Sequence, residues 1–228
     1  DFNLLRSKRV DAIILAGSKF VELRPEDNDY ILKAAAEIPV MLVNGYLEGK
    51  NIYSTVCDDY AAVYDAVSRL IHSGSRRILY LYTSYSYSGL NKMDGYKSAL
   101  ISCGLPVRED LIHQCPKNIE DARDLLLRLA EQGIDFDAVV TSDDSLAVGA
   151  VKYAHARHIS IPDKFSVIGY NNSLLARCTD PEITSIDSRV EFLCTTTVQT
   201  LMRVFSGAAV PGRTTIASEL IKRNTTNF

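Results

Sequence analysis

No stretch of this chain is long and apolar enough for a membrane helix: no apolar run approaches the roughly 20 residues needed to span a bilayer. The opening Asp1-Phe2-Asn3-Leu4-Leu5-Arg6 has neither the basic start nor the apolar core of a signal peptide. A chain that begins inside a longer protein would show the same absence. Cysteine is scarce and follows no pairing pattern. Cys57, Cys103, Cys115, Cys178 and Cys194 are five in number, scattered, and include no CxxC pair. They read as free, mostly buried thiols in a reducing cytosol. Basic charge is not in excess either. A formal net charge of −3 argues against this chain gripping nucleic acid by itself, because neutralising phosphates needs a basic surface. GxGxxG, the P-loop and GxSxG are all missing, and no nucleophile–base constellation stands in for them. No catalytic residue and no cofactor follow, and the chain reads as a non-enzyme. His155 and His158 are three apart on a predicted helix, but no CxxC, HExxH or third ligand completes a metal site; they read as solvated histidines.

What is present is an ordinary globular composition over 228 residues, 46% hydrophobic and 23% charged. That length buries a sizeable core and fits one large domain or two small ones. Strands and helices alternate throughout. Val10–Ala16 and Val40–Val43 are short continuous apolar runs, as strands covered on both faces should be. Further strands are predicted at 54–56, 77–82, 111–115, 138–141, 165–168 and 183–186, with one closing strand over 215–220. Helices are marked by apolar residues on one face, such as Ala62, Val63, Ala66, Val67, Leu70 and Ile71, capped by Asp58 or Asp59 and ended by Gly74. Helices of this length between strands imply parallel pairing through right-handed crossovers. The fold class is α/β.

The most informative stretch is Ala138-Val139-Val140-Thr141-Ser142-Asp143-Asp144, followed by Phe165-Ser166-Val167-Ile168-Gly169-Tyr170-Asn171-Asn172. Two buried strands deliver acidic or amide side chains at their C-terminal ends, the rim where open α/β sheets bind small ligands. This segment resembles the effector domain of lactose-repressor-family transcription regulators. The resemblance extends over nearly the whole chain. It is carried by Arg9-Val10-Asp11-Ala12-Ile13-Ile14-Leu15, by Ile38-Pro39-Val40-Met41-Leu42-Val43-Asn44, and by Asp94-Gly95-Tyr96 with Ala99-Leu100 and Gly104-Leu105-Pro106. Asp180-Pro181-Glu182-Ile183-Thr184-Ser185-Ile186 and Glu219–Thr226 match the family's closing signatures.

The resemblance implies two Rossmann-like subdomains of periplasmic-binding-protein type, joined by three crossing segments with a ligand cleft. The first would be residues 1–57 plus 188–211, the second 58–187 plus 212–228. It also implies that Phe2–Lys8 is the end of a helix, and that the family's opening strand–helix–strand and DNA-binding headpiece do not appear in this sequence. Val10–Ala16 would then stand at the edge of its sheet.

Ligand-binding candidates are Asn44, Tyr85, Lys92, Asp143 and Asn171. By the resemblance, Asn171 and Asn44 stand where an aspartate is common, and Lys92 where an arginine reaches into the cleft. Asparagine both donates and accepts, and lysine lacks the planar fork of arginine. A sugar-like effector therefore shares the field with a purine or a phosphorylated or amide-bearing ligand. Asn44-Gly45 and Asn171-Asn172 are also good turn formers with no ligand at all. Tyr85 belongs to a run of alternating tyrosine and serine, read as a loop able to stack on a sugar or base, or as plain surface. Asp143 is a ligand group or an anion favoured at a helix N-terminus. Lys117 reads as a solvated lysine.

The leading reading is the ligand-binding and dimerisation domain of a bacterial DNA-binding transcriptional regulator, cytoplasmic, with a sugar-like small-molecule effector. It would be a homodimer meeting operator DNA only through the absent headpiece. The helix Ser145–His155 and the segment Leu174–Asp180 are its candidate dimer contacts. The alternative is a periplasmic sugar-binding protein of a transport system, which the unpaired cysteines fit poorly.

Overall fold

Two sheets hold the ten strands found among the described residues. The computed structural model describes residues 8–228. The helix end expected over Phe2–Lys8 lies, apart from Lys8, outside them. The chain divides into two units. The first comprises the chain up to Asp58, with Tyr85–Ser88 and Arg189–Ala217. The second comprises Asp59–Ser84, Gly89–Ser188 and Ser218–Phe228.

In the first unit, β1 (Ile13–Ala16), β2 (Val40–Val43), β3 (Ile52–Cys57) and β9 (Arg213–Ile216) form a wholly parallel sheet in that order. Alternation along the strands sends Ile13, Leu15, Val40, Leu42 and Ile52 to one face, against Ile31, Ala34 and Ala35 of helix α1 (Asp29–Ala35). The other face meets the last helix of the chain, α6 (Val190–Phe205), through Val43, Cys57 and Leu193. β1 is an edge strand, buried only on alternate residues, and Ile14 is 47% exposed. Coverage on both faces, as the apolar run 10–16 suggests, is therefore not what the described residues show.

In the second unit the order is β10-β8-β7-β6-β4-β5: β4 (Ile78–Tyr82), β5 (Ile112–Gln114), β6 (Ala138–Thr141), β7 (Ser166–Tyr170), β8 (Thr184–Asp187) and β10 (Glu219–Ile221). All pairs are parallel except β10 with β8. Helices α2 (Asp59–His72) and α3 (Tyr87–Ser102) cover one face, around Tyr80, Tyr96, Val140 and Ile168. Helices α4 (Ile119–Glu131) and α5 (Asp144–Ala156) cover the other, around Leu79, Leu81, Val139 and Val167. The first two residues of α3, Tyr87 and Ser88, count with the first unit.

Five readings change. The closing strand 215–220 is two short strands, β9 and β10, in different sheets. Residues 212–217 accordingly stand with the first unit, whereas the division at 211/212 assigned them to the second. The tyrosine–serine run is not all loop, since α3 begins at Tyr87. His158 lies beyond the end of α5 with a left-handed backbone, so it does not share that helix with His155. None of the five cysteines is in a disulfide, but only Cys57 and Cys115 are buried.

Candidate functional site

The second unit gathers polar groups where β4, β6 and β7 end. β4 pairs with β5 on one side and β6 on the other, a reversal of strand order at whose C-terminal ends open α/β sheets bind ligands. There β6 runs into Ser142 and Asp143, and β7 into Asn171.

Asp143 divides its two oxygens between two tasks. It is the N-cap of α5, in extended conformation; Oδ1 accepts from the Ser145 backbone N–H at 3.0 Å and the Ser145 hydroxyl at 2.7 Å. Oδ2 accepts from Asn171 Nδ2 at 3.0 Å and lies 2.7 Å from Lys117 Nζ. Lys117 comes from the turn before α4, whose own N-cap Asn118 accepts from the Glu120 and Asp121 N–H groups. Its side chain is 65% exposed against 10% for Asp143, so the ammonium reaches in from solvent. Lys117 is thus a largely solvated lysine, as the sequence reading has it, whose ammonium also pairs with Asp143. The available signal for that pairing was its position directly before the N-cap of α4, after a strand that ends beside β4.

Lys92, on α3, is in the same region but below it. Its Nζ lies 3.9 Å from Asp59 Oδ1, 3.5 Å from the ring centre of Tyr170 and 3.5 Å from the Ser142 carbonyl. Tyr170 donates its hydroxyl to Asp59. All three side chains are buried. Buried charges persist only when paired and hydrogen-bonded, and this trio ties α2, α3 and β7 together beneath Asp143 and Asn171. The cation–π contact adds to that hold. The sequence marks Asp59 only as a candidate helix cap, and does not single out Tyr170 and Ser142 as site residues.

Asp144, next to Asp143, faces inward. It accepts from Ser185 Oγ at 2.6 Å and from the Ser173 N–H at 2.7 Å. Burial raises its carboxyl above the usual range, with the Ser185 hydrogen bond opposing. A Cβ on Gly169 would come within 2.2 Å of its Oδ1, so only glycine lets the carboxylate approach β7 this closely.

The remaining candidates belong to the first unit. Asn44 ends β2 in the left-handed region; its backbone N–H donates to Thr55 O and its Oδ1 accepts from the Cys57 N–H at 3.2 Å. Its carbonyl is thus engaged in joining the ends of β2 and β3, as the turn reading implies. Tyr85 is exposed at 54%. Tyr87, beyond it, shares with Tyr46 the guanidinium of Arg213, at 5.9 and 5.0 Å from the ring centres.

Of the candidates, the structure brings Asp143, Asn171 and Lys92 together with Lys117. Among the described residues no group of three His, Cys, Asp or Glu is placed to hold a metal ion. No helix among them is long and apolar enough to cross a membrane.

A family model for the periplasmic binding protein-like domain matches residues 67–226. The chain belongs to that family. Among curated relatives, an HTH-type transcriptional regulator of Lachnoclostridium phytofermentans is 56% identical over 225 residues, 99% of this chain and 68% of that protein. The HTH-type transcriptional regulator AscG of Escherichia coli is 29% identical, over 95% of this chain and 63% of that protein. The chain spans about two thirds of the length of these relatives. A solved sugar-binding transcriptional regulator of the LacI family from Escherichia coli, complexed with phosphate, superposes with a TM-score of 0.85 at 28% identity. It covers 98% of this chain and 79% of that one. The periplasmic-binding-protein-like domain described above is thus of the kind found in LacI-type regulators.

Proposed function

We propose that this chain is the effector-binding and dimerisation part of a cytoplasmic DNA-binding transcriptional regulator, and that its effector is a small neutral polyhydroxylated metabolite such as a sugar. The observation that carries the reading is the Asp143–Lys117–Asn171 group at the C-terminal ends of parallel strands, in a chain whose relatives are transcriptional regulators. The charges cancel in pairs, Lys117 with Asp143 and Lys92 with Asp59. A ligand with net charge would leave one poorly solvated charge unbalanced. Vicinal hydroxyls, each donor and acceptor, can instead bridge the Lys117 ammonium and the Asp143 carboxylate while the Asn171 amide takes a third. Binding that favours one conformation over another would alter the pairing of DNA-binding heads in the intact dimer.

A thermal-shift panel of ribose, cellobiose, glucose 6-phosphate, inorganic phosphate and adenine tests this. A neutral sugar at 100 times its Kd should add about 2.7 kcal/mol of stability, and Asn171→Ala should abolish the shift without unfolding the chain. Stabilisation by glucose 6-phosphate, phosphate or adenine alone would overturn the neutral-polyol reading. Among the candidate dimer contacts, Ala147, Val148 and Val151 of α5 are buried in the second unit's own core and so are not free apolar surface, whereas Lys152 and His155 of the same helix are exposed. Leu174, at 68%, and Leu175, at 37%, remain exposed.

A further inference from the structure

The backbone that presents Asn171 is strained and held from three sides. Asn171 and Asn172 have φ of 99° and 47°, two consecutive non-glycine residues in the left-handed half of conformational space. Asparagine tolerates such a conformation better than most residues, but it persists only where surrounding bonds fix it. The Asn171 N–H donates to Ile186 O at 2.8 Å and the Asn172 N–H to Ser185 Oγ at 3.0 Å. The Ser173 N–H donates to Asp144.

The carboxamide of Asn172 is engaged at both ends. Its Nδ2 donates to Asp187 Oδ2 at 3.0 Å, and its Oδ1 accepts from Arg223 Nη2. A carboxylate only accepts and a guanidinium only donates, so one orientation of the amide satisfies both. Arg223 is itself fixed. Its Nη1 donates to Ile183 O at 2.8 Å, its backbone N–H donates to Thr184 Oγ1 at 2.9 Å, and its Nε lies 3.5 Å from the Glu182 carboxylate. The side chain is 12% exposed. A planar fork with two separate acceptors is a role a lysine cannot fill.

We propose that Arg223 and Asp187 are positioning residues of the ligand site: they clamp the Asn172 carboxamide and so keep the Asn171 carboxamide aimed at Asp143. The proposal rests on reading Asp143 and Asn171 as ligand groups. Its consequence is a binding group ordered before the ligand arrives, which lowers the entropic cost of binding.

The test uses the whole chain, 15N-labelled, with no sugar present. The side-chain amide resonances of Asn171, assigned by their loss in Asn171→Ala, should be displaced by the 3.0 Å hydrogen bond to Asp143, a displacement that Asp143→Ala removes. Arg223→Met and Asp187→Ala should each abolish that displacement. Asp187→Asn, which keeps an oxygen to accept from Asn172 Nδ2, should restore it. Were Arg223→Met to unfold the chain, Asp187→Ala against Asp187→Asn would carry the same comparison. Folded Asp187→Ala with unchanged Asn171 amide resonances would overturn the clamp, because a side chain that merely adds stability would leave the Asn171–Asp143 hydrogen bond in place. A failure of the binding reading shows elsewhere: Asn171→Ala would then leave the response to ribose and cellobiose as it was.

Discussion

The two units are built on the same plan and are filled unequally. Each is a mainly parallel sheet with helices on its faces. In the second unit both faces lie under a pair of helices, and every residue of β4, β6 and β7 is buried. In the first, the α6 face contributes a buried cluster of only Val43, Cys57 and Leu193. Beside that cluster Ile14 is half-exposed on the edge strand. The outer side of α6 shows solvent an apolar stripe of Val190, Cys194, Val198, Met202 and Phe205, spaced as one helical face. Each aliphatic or aromatic side chain moved from water into a core contributes about 1.5–3 kcal/mol. The difference therefore amounts to several such contributions within a similar architecture. Parallel sheets owe their stability to cover on both faces, and one unit has far less of it.

The largest expected effect is in hydrogen exchange. Backbone amides of Ile13–Ala16 should exchange at least ~100-fold faster than those of Ile78–Tyr82 and Ala138–Thr141, since local opening energies range from near zero to the global value. Uniform protection across the three strands would break the comparison, and would mean that the thin face of the first sheet carries no penalty.

Substitutions should follow the same division. Gly149 lies where α5 crosses α4, and a Cβ there would fall 2.6 Å from both Ala122 Cβ and Ile119 O. Gly149→Ala must push the helices apart, at a cost of about 1–3 kcal/mol. Ile14→Ser, at the exposed edge, should stay within about 0.5 kcal/mol. Urea unfolding of both variants measures the two. Equal losses would show that Ile14 is covered in solution by something outside the described residues.

How much of this was legible in the sequence depended on where each segment's burial comes from. Val40–Val43 and Ala138–Thr141 were read with the bounds the structure shows, because a strand buried on both faces appears as an unbroken apolar run with polar flanks. β9 and β10 were merged, because strands of four and three residues carry no periodicity and only Ala217-Ser218 separates them. Which sheet each joins is decided by distant partners, Ser54–Cys57 and Ser185–Asp187. The second apolar side of α5 was read as a surface for a partner, yet it packs on α4 of the same unit. A helix between a sheet and another helix is apolar on two sides, and the pattern alone does not say which neighbour covers the second. Asp143 and Asn171 were legible as strand-end polar groups. Asp59, Tyr170, Asp187 and Arg223 were not, since each acts through contacts far away in sequence.

The smallest expected effect concerns pH and again separates the units. Burial raises the Asp144 carboxyl above its ordinary value. The folded chain then holds that proton more tightly than the unfolded chain does. Stability associated with the protonated form is therefore complete below the ordinary carboxylate value and is lost as pH rises through the raised one. Asp144→Asn keeps the shape, with an oxygen to accept from the Ser173 N–H and an amide to donate to Ser185 Oγ, but does not titrate there. The stability of the unmodified chain relative to Asp144→Asn should decline as pH rises through that window, read by urea unfolding at a series of pH values. Protection of the Asn171–Ser173 amides, relative to their intrinsic exchange at each pH, should change with it, while that of Ile13–Ala16 in the first unit stays as before. A relative stability that rises with pH would mean that the hydrogen bonds from Ser173 and Ser185 outweigh burial and that the carboxylate is the favoured form.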